Sequence, residues 1–469
     1  MKNIFKYTLL ILISLTIFSC FNDNDDSVID GAEIKNFVWK AMNAAYLYKS
    51  EIIDLSNERF ANDLEFQSFL NSYESPELLF ENLIFNRQTV DRFSFITDNY
   101  FELEQQLNGI TLSNGAEYNF YLIPGTVDQV FGIVKLVHPN SDASAANLTR
   151  GTIFNKINGT PLNTSNLSNL LNQNSYSLNI ALYDDNETDI VSDDQILETS
   201  NMISLNKEAY NENPIFKHLI FNLESYKVGY LMYNGFISEF DNQLNQIFGE
   251  FKSENIDNLV LDLRYNSGGS IQTATALASM ITGQFTGQIF TKLNYNEDLQ
   301  SNNSNFNFLD QINGNPLNNL NLEKIYILTS YRSASASEMM INSLKSYINV
   351  VQIGDKTLGK SQASQLLYDS PNLSRNNVNP NHTYALLPLI AISVNKNDEN
   401  VPSSGIEPAI NVIENPNDYG MIGDFNEPLL NTALMAIQGL NRNSNNFSKE
   451  SLLIDYHNPK KFTDLMYVD

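Results

Sequence analysis

The stretch "TSYRSASASEMM" sets Ser333, Ser335 and Ser337 at alternate positions, with Ala334 and Ala336 between them. It follows the apolar run "KIYIL" and leads into a helix-type sequence. A serine at a strand-to-helix turn lies beside the unpaired amides and the positive dipole end of a helix N-terminus. Such amides can hold a developing oxyanion, and alanines on either side let a substrate backbone approach. The alternative is plain capping, since serine is a favoured N-cap. A serine is a weak nucleophile without a base, and no histidine lies between His218 and His382. Lys360, in "TLGKSQ" just after the apolar run "VVQIG", offers an amine instead. Burial favours the neutral amine, which can then act as a base. Lysine shifts more readily than arginine, and Ser–Lys pairs are a known variant of triad chemistry. A third piece, "LVLDLRYNSGGS", ends an apolar strand in Asp262 and Arg264, followed by Asn266 and the pair Gly268-Gly269. Two glycines free the backbone to aim an N–H at a ligand.

These pieces need a scaffold. From about residue 205 to 440, strand-type and helix-type runs alternate: "KVGYLMY", "EFDNQLNQIFGEFKS", "NLVLDLRY", "SIQTATALASMIT", "KIYILTS", "SASEMMINSLKSYI", "VVQIGD". That alternation predicts an α/β core with crossover helices, placed at 189–445. "YALLPLIAISVN" reads as one later strand, and "QSNNSNFNFLDQINGNPLNNLN" as a polar surface insertion. The end of a parallel strand, just ahead of a helix, is where α/β folds place their active sites.

Residues 31–105 read as a helical domain. Ile34, Phe37, Val38, Ala41, Ala45 and Tyr48 follow the helical period, and Ser75-Pro76-Glu77 is a helix start. No chemistry is visible there. Residues 106–188 carry short β-type runs, with Asn158-Gly159 as a hairpin-type turn. The order of "VKLVHPNSDASAANLTRGTIFNKINGTPL" resembles a PDZ domain, with Thr152 where an aspartate usually follows the glycine. The resemblance implies a module that takes carboxyl-terminal peptides by strand addition.

"MKNIFKYTLLILISLTIFSC" has two lysines, then an apolar run too short to span a bilayer of roughly 30 Å. It reads as a signal peptide, residues 1–20. Its ending resembles a bacterial lipobox, which implies lipidation at Cys20, the chain's only cysteine. The acidic stretch at 21–30 reads as a flexible tether, and 446–469 as a C-terminal tail. The expected location is the envelope of a bacterium, with the membrane reached through the lipid anchor only.

The composition of the 469 residues narrows the partners. With 28 basic and 54 acidic residues the net charge is −26. This argues against nucleic acid, which needs a basic footprint, and against a polybasic membrane face. One cysteine allows no intrachain disulfide or cysteine metal site, and His138, His218, His382 and His457 lack ligand spacing. No metal or other cofactor is expected.

"LDLRYNSGG", "SASASE" and "GDKTLGKSQ", in this order, resemble the C-terminal processing peptidases, also called tail-specific proteases. Members are serine peptidases with a Ser–Lys dyad, usually with a PDZ domain ahead of the catalytic core. The resemblance runs from about residue 90 to 440 and includes "GIEP" at Gly405–Pro408. It implies Ser335 as nucleophile, Lys360 as base, and oxyanion amides from Ala336 and from Gly268 or Gly269. The family often has glycine after the lysine and a glutamine four residues beyond it that orients the amine. Here Ser361 follows, Ser364 takes the later position, and the glutamines are Gln362 and Gln365. Either the loop shifts by a residue, or Ser364 substitutes, or that helper is absent. The implied activity is a serine endopeptidase acting on unfolded proteins or carboxyl-terminal segments. The alternative is a peptide-binding surface lipoprotein with decayed catalysis.

Overall fold

The computed structural model describes residues 31–188, 190–440, 453–454 and 466–468; Cys20 and the signal and tether segments lie outside the described residues. Four helices come first: α1 (Gly31–Ala45), α2 (Asp63–Asn71), α3 (Pro76–Asn82) and α4 (Tyr100–Leu107). Helix α1 buries Ile34, Phe37, Val38, Ala41 and Ala45 of the positions its period predicts, and Met42 besides; it ends before Tyr48, which is half-buried. Ser75 caps α3 by accepting from Leu78 N, with Pro76 at its first position. This region is not wholly helical. Phe95–Thr97 pairs with Ala385–Leu387 and fastens it to the core.

A β-rich domain follows: β1 (Ala116–Leu122), β2 (Val130–Val137), β3 (Ile153–Ile157), β4 (Ser175–Asp184) and β5 (Gln195–Asn206), antiparallel in that order. Asn158 and Gly159 both have positive φ, as the tight turn after β3 requires. The sheet continues to Asn206, beyond the expected boundary at 188. Strand β5 is mostly solvent-facing, so it lacks the apolar signal that marks the others.

The core carries a six-stranded sheet. Its members are β6 (Ile215–Asn222), β7 (Lys227–Tyr233), β8 (Asn258–Asp262), β9 (Lys324–Thr329), β10 (Asn349–Gly354) and β11 (Ile410–Asn411), side by side in that order. Only the β6–β7 pair is antiparallel. Both faces are covered. Three helices, α5 (Asp241–Ser253), α6 (Ile271–Thr282) and α7 (Ala336–Leu344), share one apolar cluster with the N-terminal helices. Helix α8 (Pro428–Ile437) packs on the other face. Two-sided burial is why β8 and β9 read as near-continuous apolar runs. Helix α6 is buried nearly all round, and Thr275, Ser279 and Thr282 satisfy their hydroxyls on carbonyls one turn back.

Two expectations change here. The run read as one strand divides at Pro388 into Ala385–Leu387 and Leu389–Val394, which join different sheets. Proline has no N–H to continue a ladder. The asparagine-rich insertion is not merely superficial: Ser304–Asn307 edges a second sheet, and Phe308, Ile312 and Leu317 are buried.

A buried ion network joins core and β-rich domain. Arg264 is fully buried and donates to Asp262 Oδ1 at 2.9 Å and to Glu427 at 2.6 and 3.0 Å. Its third carboxylate, Glu414, lies at 3.3 Å. Arg150, from the β-rich domain, donates to Glu414 at 2.6 Å and to the Tyr265 hydroxyl at 2.7 Å. Arg264→Leu would leave buried carboxylates without their cation and should cost about 3–5 kcal/mol in urea unfolding. Burial pushes the Glu414 carboxyl up, but the Arg150 and Arg264 guanidiniums outweigh it and hold it at about 2, below its ordinary 4.5. Its stabilisation is therefore complete above that ordinary value and is lost as pH falls toward 2. Melting temperatures should fall more steeply through this window in the native chain than in Glu414→Gln.

Candidate active site

Strands β8, β9 and β10 are consecutive parallel neighbours, with Asp262 paired to Leu328 and Thr329 to Gly354. Their carboxyl ends lie side by side, so the glycine-pair turn, the alternating serines and the lysine loop meet at one edge of the sheet. Hydrogen bonds then knit the three segments. Ser333 Oγ donates to Leu263 O at 2.8 Å, Ala334 N to Asn266 O at 3.1 Å, and Ser337 Oγ to Asn266 O at 3.0 Å. Leu358 N donates to Ser333 O at 3.1 Å and so ties in the lysine loop.

The alternating serines thus divide by role. Ser333 and Ser337 are committed to the backbone of the neighbouring turn. Ser335 has no exposed surface, yet its Oγ makes no hydrogen bond. It stands just ahead of α7 with φ +63° and ψ −115°, a conformation that non-glycine residues rarely adopt. Holding it costs roughly 1–3 kcal/mol. A strained strand-to-helix elbow is a known way to present a nucleophile, and here it forms without a Gly-x-Ser-x-Gly sequence.

Glu338, one turn into α7, holds the elbow. Its Oε2 accepts from Ser335 N at 2.9 Å and from Lys360 N at 2.9 Å. Its Oε1 accepts from Thr357 Oγ1 at 2.5 Å and from Gly359 N at 2.7 Å. One oxygen therefore ties the backbones of residues 335 and 360 together. Burial pushes the carboxyl's pKa up, while the four donors oppose that push. Gly359 has φ +89°, and a Cβ there would lie 2.2 Å from Ser403 O, so only glycine passes. Lys360 is fully buried, its Nζ 4.7 Å from the centre of the Phe93 ring. Phe93 follows α3 in the N-terminal region, where the sequence showed no chemistry. Nearby, Asp91 accepts from Tyr46 Oη and from Ser94 N, both at 2.8 Å, and Ser94 Oγ accepts from Leu389 N at 2.9 Å.

The Ala336 N–H stands at the first position of α7, where a helix N–H has no intrahelical acceptor. Gly268 N donates to Asn266 Oδ1 at 2.9 Å. Gly269 has φ +134°, and a Cβ there would lie 2.3 Å from Phe236 O. The residues after the lysine divide. Gln362 donates to Tyr48 Oη at 3.0 Å, Ser364 is buried with an unbonded Oγ, and Gln365 is exposed. A cavity of about 340 Å³ runs from Gly268 and Gly269 past Phe236, Tyr331 and Leu358 to the β-rich domain. Among the described residues one acid–histidine group, Glu117, His138 and Glu212, could hold a metal ion, its ligand atoms within 4.8 Å of one another. The Lys135 ammonium, 2.9 Å from Glu117, already supplies a cation there.

Sequence reasoning missed Glu338 and Phe93. Glu338 had a signal: Ser335-x-x-Glu338 is the spacing of a capping box. Phe93 had none, because its role depends on how the N-terminal region docks.

Comparison with known proteins shows what the chain is similar to. The sequence description of Peptidase family S41 matches residues 227–412, and that of the Peptidase S41 N-terminal domain matches residues 33–95. A carboxyl-terminal-processing protease of Picosynechococcus is 25% identical over 175 residues, covering 37% of this chain and 39% of the relative. A Staphylococcus aureus protein described as a CtpA-like serine protease is 29% identical over 134 residues, covering 29% of this chain and 25% of the relative. These matches span well under half the length of either relative. The crystal structure of a Bacteroides fragilis protein assigned to the S41 proteases has the same fold, with a TM-score of 0.68 and 24% identity. That likeness covers 86% of this chain and 97% of the other.

Glu338→Ala would leave four buried donors without their acceptor. Each such loss costs about 1–3 kcal/mol, so the variant should melt well below the native chain, whereas Glu338→Gln, which keeps one acceptor oxygen, should lose less. Equal melting temperatures for Glu338→Ala and the native chain would show that the clamp does not hold the site.

Proposed function

Because this chain belongs to peptidase family S41, with that family's N-terminal domain ahead of the catalytic region, we propose that it is a serine endopeptidase working by a Ser335–Lys360 dyad. The observation that carries the reading is the uncommitted hydroxyl of Ser335 on its strained elbow, next to a lysine whose backbone the same Glu338 oxygen holds.

In this reading neutral Lys360 takes the Ser335 proton as Oγ attacks the substrate carbonyl. The oxyanion forms toward the Ala336 N–H and the Gly268-Gly269 turn. Collapse breaks the peptide bond, and the lysine passes its proton to the leaving amine. Water, deprotonated by the same lysine, then hydrolyses the acyl-enzyme and restores the serine. Substrates are unfolded proteins or carboxyl-terminal segments, captured first by the PDZ-like β-rich domain. The chain acts at the cell envelope, held by a lipid on Cys20.

Ser335→Ala should abolish cleavage of an unfolded protein, read as product masses. It should melt no lower than the native chain, since it removes a buried hydroxyl that has no partner. Lys360→Ala should be equally inactive, and kcat/KM of the native enzyme should rise toward alkaline pH as the lysine loses its proton. Retained cleavage by Ser335→Ala, or a flat profile from mildly acid to alkaline pH, would refute the dyad. Cys20→Ala should release the protein from membranes in a bacterial host; unchanged membrane association would rule out this anchor.

A further inference from the structure

A short strand of the chain's own lies between the glycine-pair turn and the strand that follows Lys360. Met466 and Tyr467 form a short strand between the two walls of the site. On one side they pair in parallel with Gly269 and Ser270, the turn assigned to the oxyanion; on the other, Tyr467 pairs in parallel with Ser364, four residues past Lys360. Val468 N donates to Ser364 O at 3.3 Å. Met466 is fully buried in the main apolar cluster, Val468 packs against that cluster, and Tyr467 lines the 340 Å³ cavity. Earlier in the same stretch, Leu453 and Ile454 add an antiparallel strand to the edge of β1, opposite Tyr121 and Phe120.

Strand addition to an exposed edge, with alternate side chains seated in pockets, is how extended peptides are recognised. Both places where this stretch adds a strand are where a protein substrate would need to be held: the edge of the PDZ-like sheet, and the slot between the oxyanion turn and the lysine strand. We propose that residues 453–454 and 466–468 are substrate-like occupants in cis. Residues 453–454 take the capture edge, and 466–468 take the catalytic groove, so the resting chain competes with its own substrates. It follows that the groove selects extended segments bearing large apolar residues of the Met-Tyr-Val kind. The idea rests on reading this groove as the site of peptide cleavage, and its test has an arm that needs no cleavage.

That arm uses the full-length Ser335→Ala chain, with and without Met466→Lys, which places a charge in an apolar site and should expel the segment. The probe is a fluorescent peptide of residues 459–468, PKKFTDLMYV, followed by anisotropy. The peptide should bind the Met466→Lys chain at least tenfold more tightly than its parent. Equal binding to both, or binding to neither, overturns the proposal even if the native chain proves to be a protease. In the catalytic arm, Met466→Lys with Ser335 intact should raise kcat/KM on an unfolded protein about tenfold, chiefly through a lower KM, and the peptide should inhibit it competitively. An unchanged kcat/KM overturns the proposal as well. If no chain cleaves anything, the dyad reading fails while the binding arm still decides the occupancy. Tyr467→Pro, which breaks the pairing at a half-buried position, replaces Met466→Lys in both arms should the latter fail to fold.

Discussion

A single buried carboxylate organises this site. Glu338 receives four hydrogen bonds and spends one oxygen on the backbones of both Ser335 and Lys360. Those residues come from different turns, after β9 and after β10. Adjacent parallel strands bring the turns to the same edge of the sheet, but strand pairing sets only the neighbourhood. Charge-assisted bonds are short and directional and contribute roughly twice what neutral ones do. With the Leu358 N–Ser333 O bond, they keep the two loop segments in one relative position.

The clamp also explains how the elbow survives. A serine at φ +63° and a buried hydroxyl with no partner are both unfavourable. Each costs on the order of 1–3 kcal/mol. They persist because the adjoining segments are tied down: Ser333 and Ser337 bond the turn after β8, and Asn266 bonds Tyr233 O through its side chain. The unfavourable features gather on one residue whose neighbours have no freedom to relax it. That concentration separates Ser335 from the two other serines in the same short string.

The same edge couples to two other parts of the chain. Phe93 brings the N-terminal region over the Lys360 amine. Arg150 brings the β-rich domain onto Glu414, Tyr265 and, through Glu414, Arg264. Because Arg264 belongs to the turn that leads into Gly268 and Gly269, a shift of the β-rich domain would be felt two residues from Asn266. The strand at 466–467 lies against that same turn. The β-rich domain, the strand at 466–467 and the glycine-pair turn are thus parts of one hydrogen-bonded assembly rather than separate modules.

Local chemistry in the sequence was enough to identify the α/β core, the start of α3, the turn at Asn158-Gly159, and the three motifs that meet at the site. Each rests on a short-range rule: apolar periodicity, a cap followed by proline, a dipeptide able to take positive φ, small residues ahead of a helix. Where those rules conflict with long-range pairing, the sequence misled. Strand β5 has no buried face to advertise itself, and Pro388 divides what composition joined. The polar insertion hides apolar anchors among asparagines, and the stretch read as a tail places Met466 and Tyr467 in a core sheet. Which serine is left uncommitted, how Glu338 reaches the Lys360 backbone 22 positions on, and what lies over the lysine depended on contacts between residues tens to hundreds of positions apart. No window of sequence contains both members of such a pair, so only the folded chain could decide them.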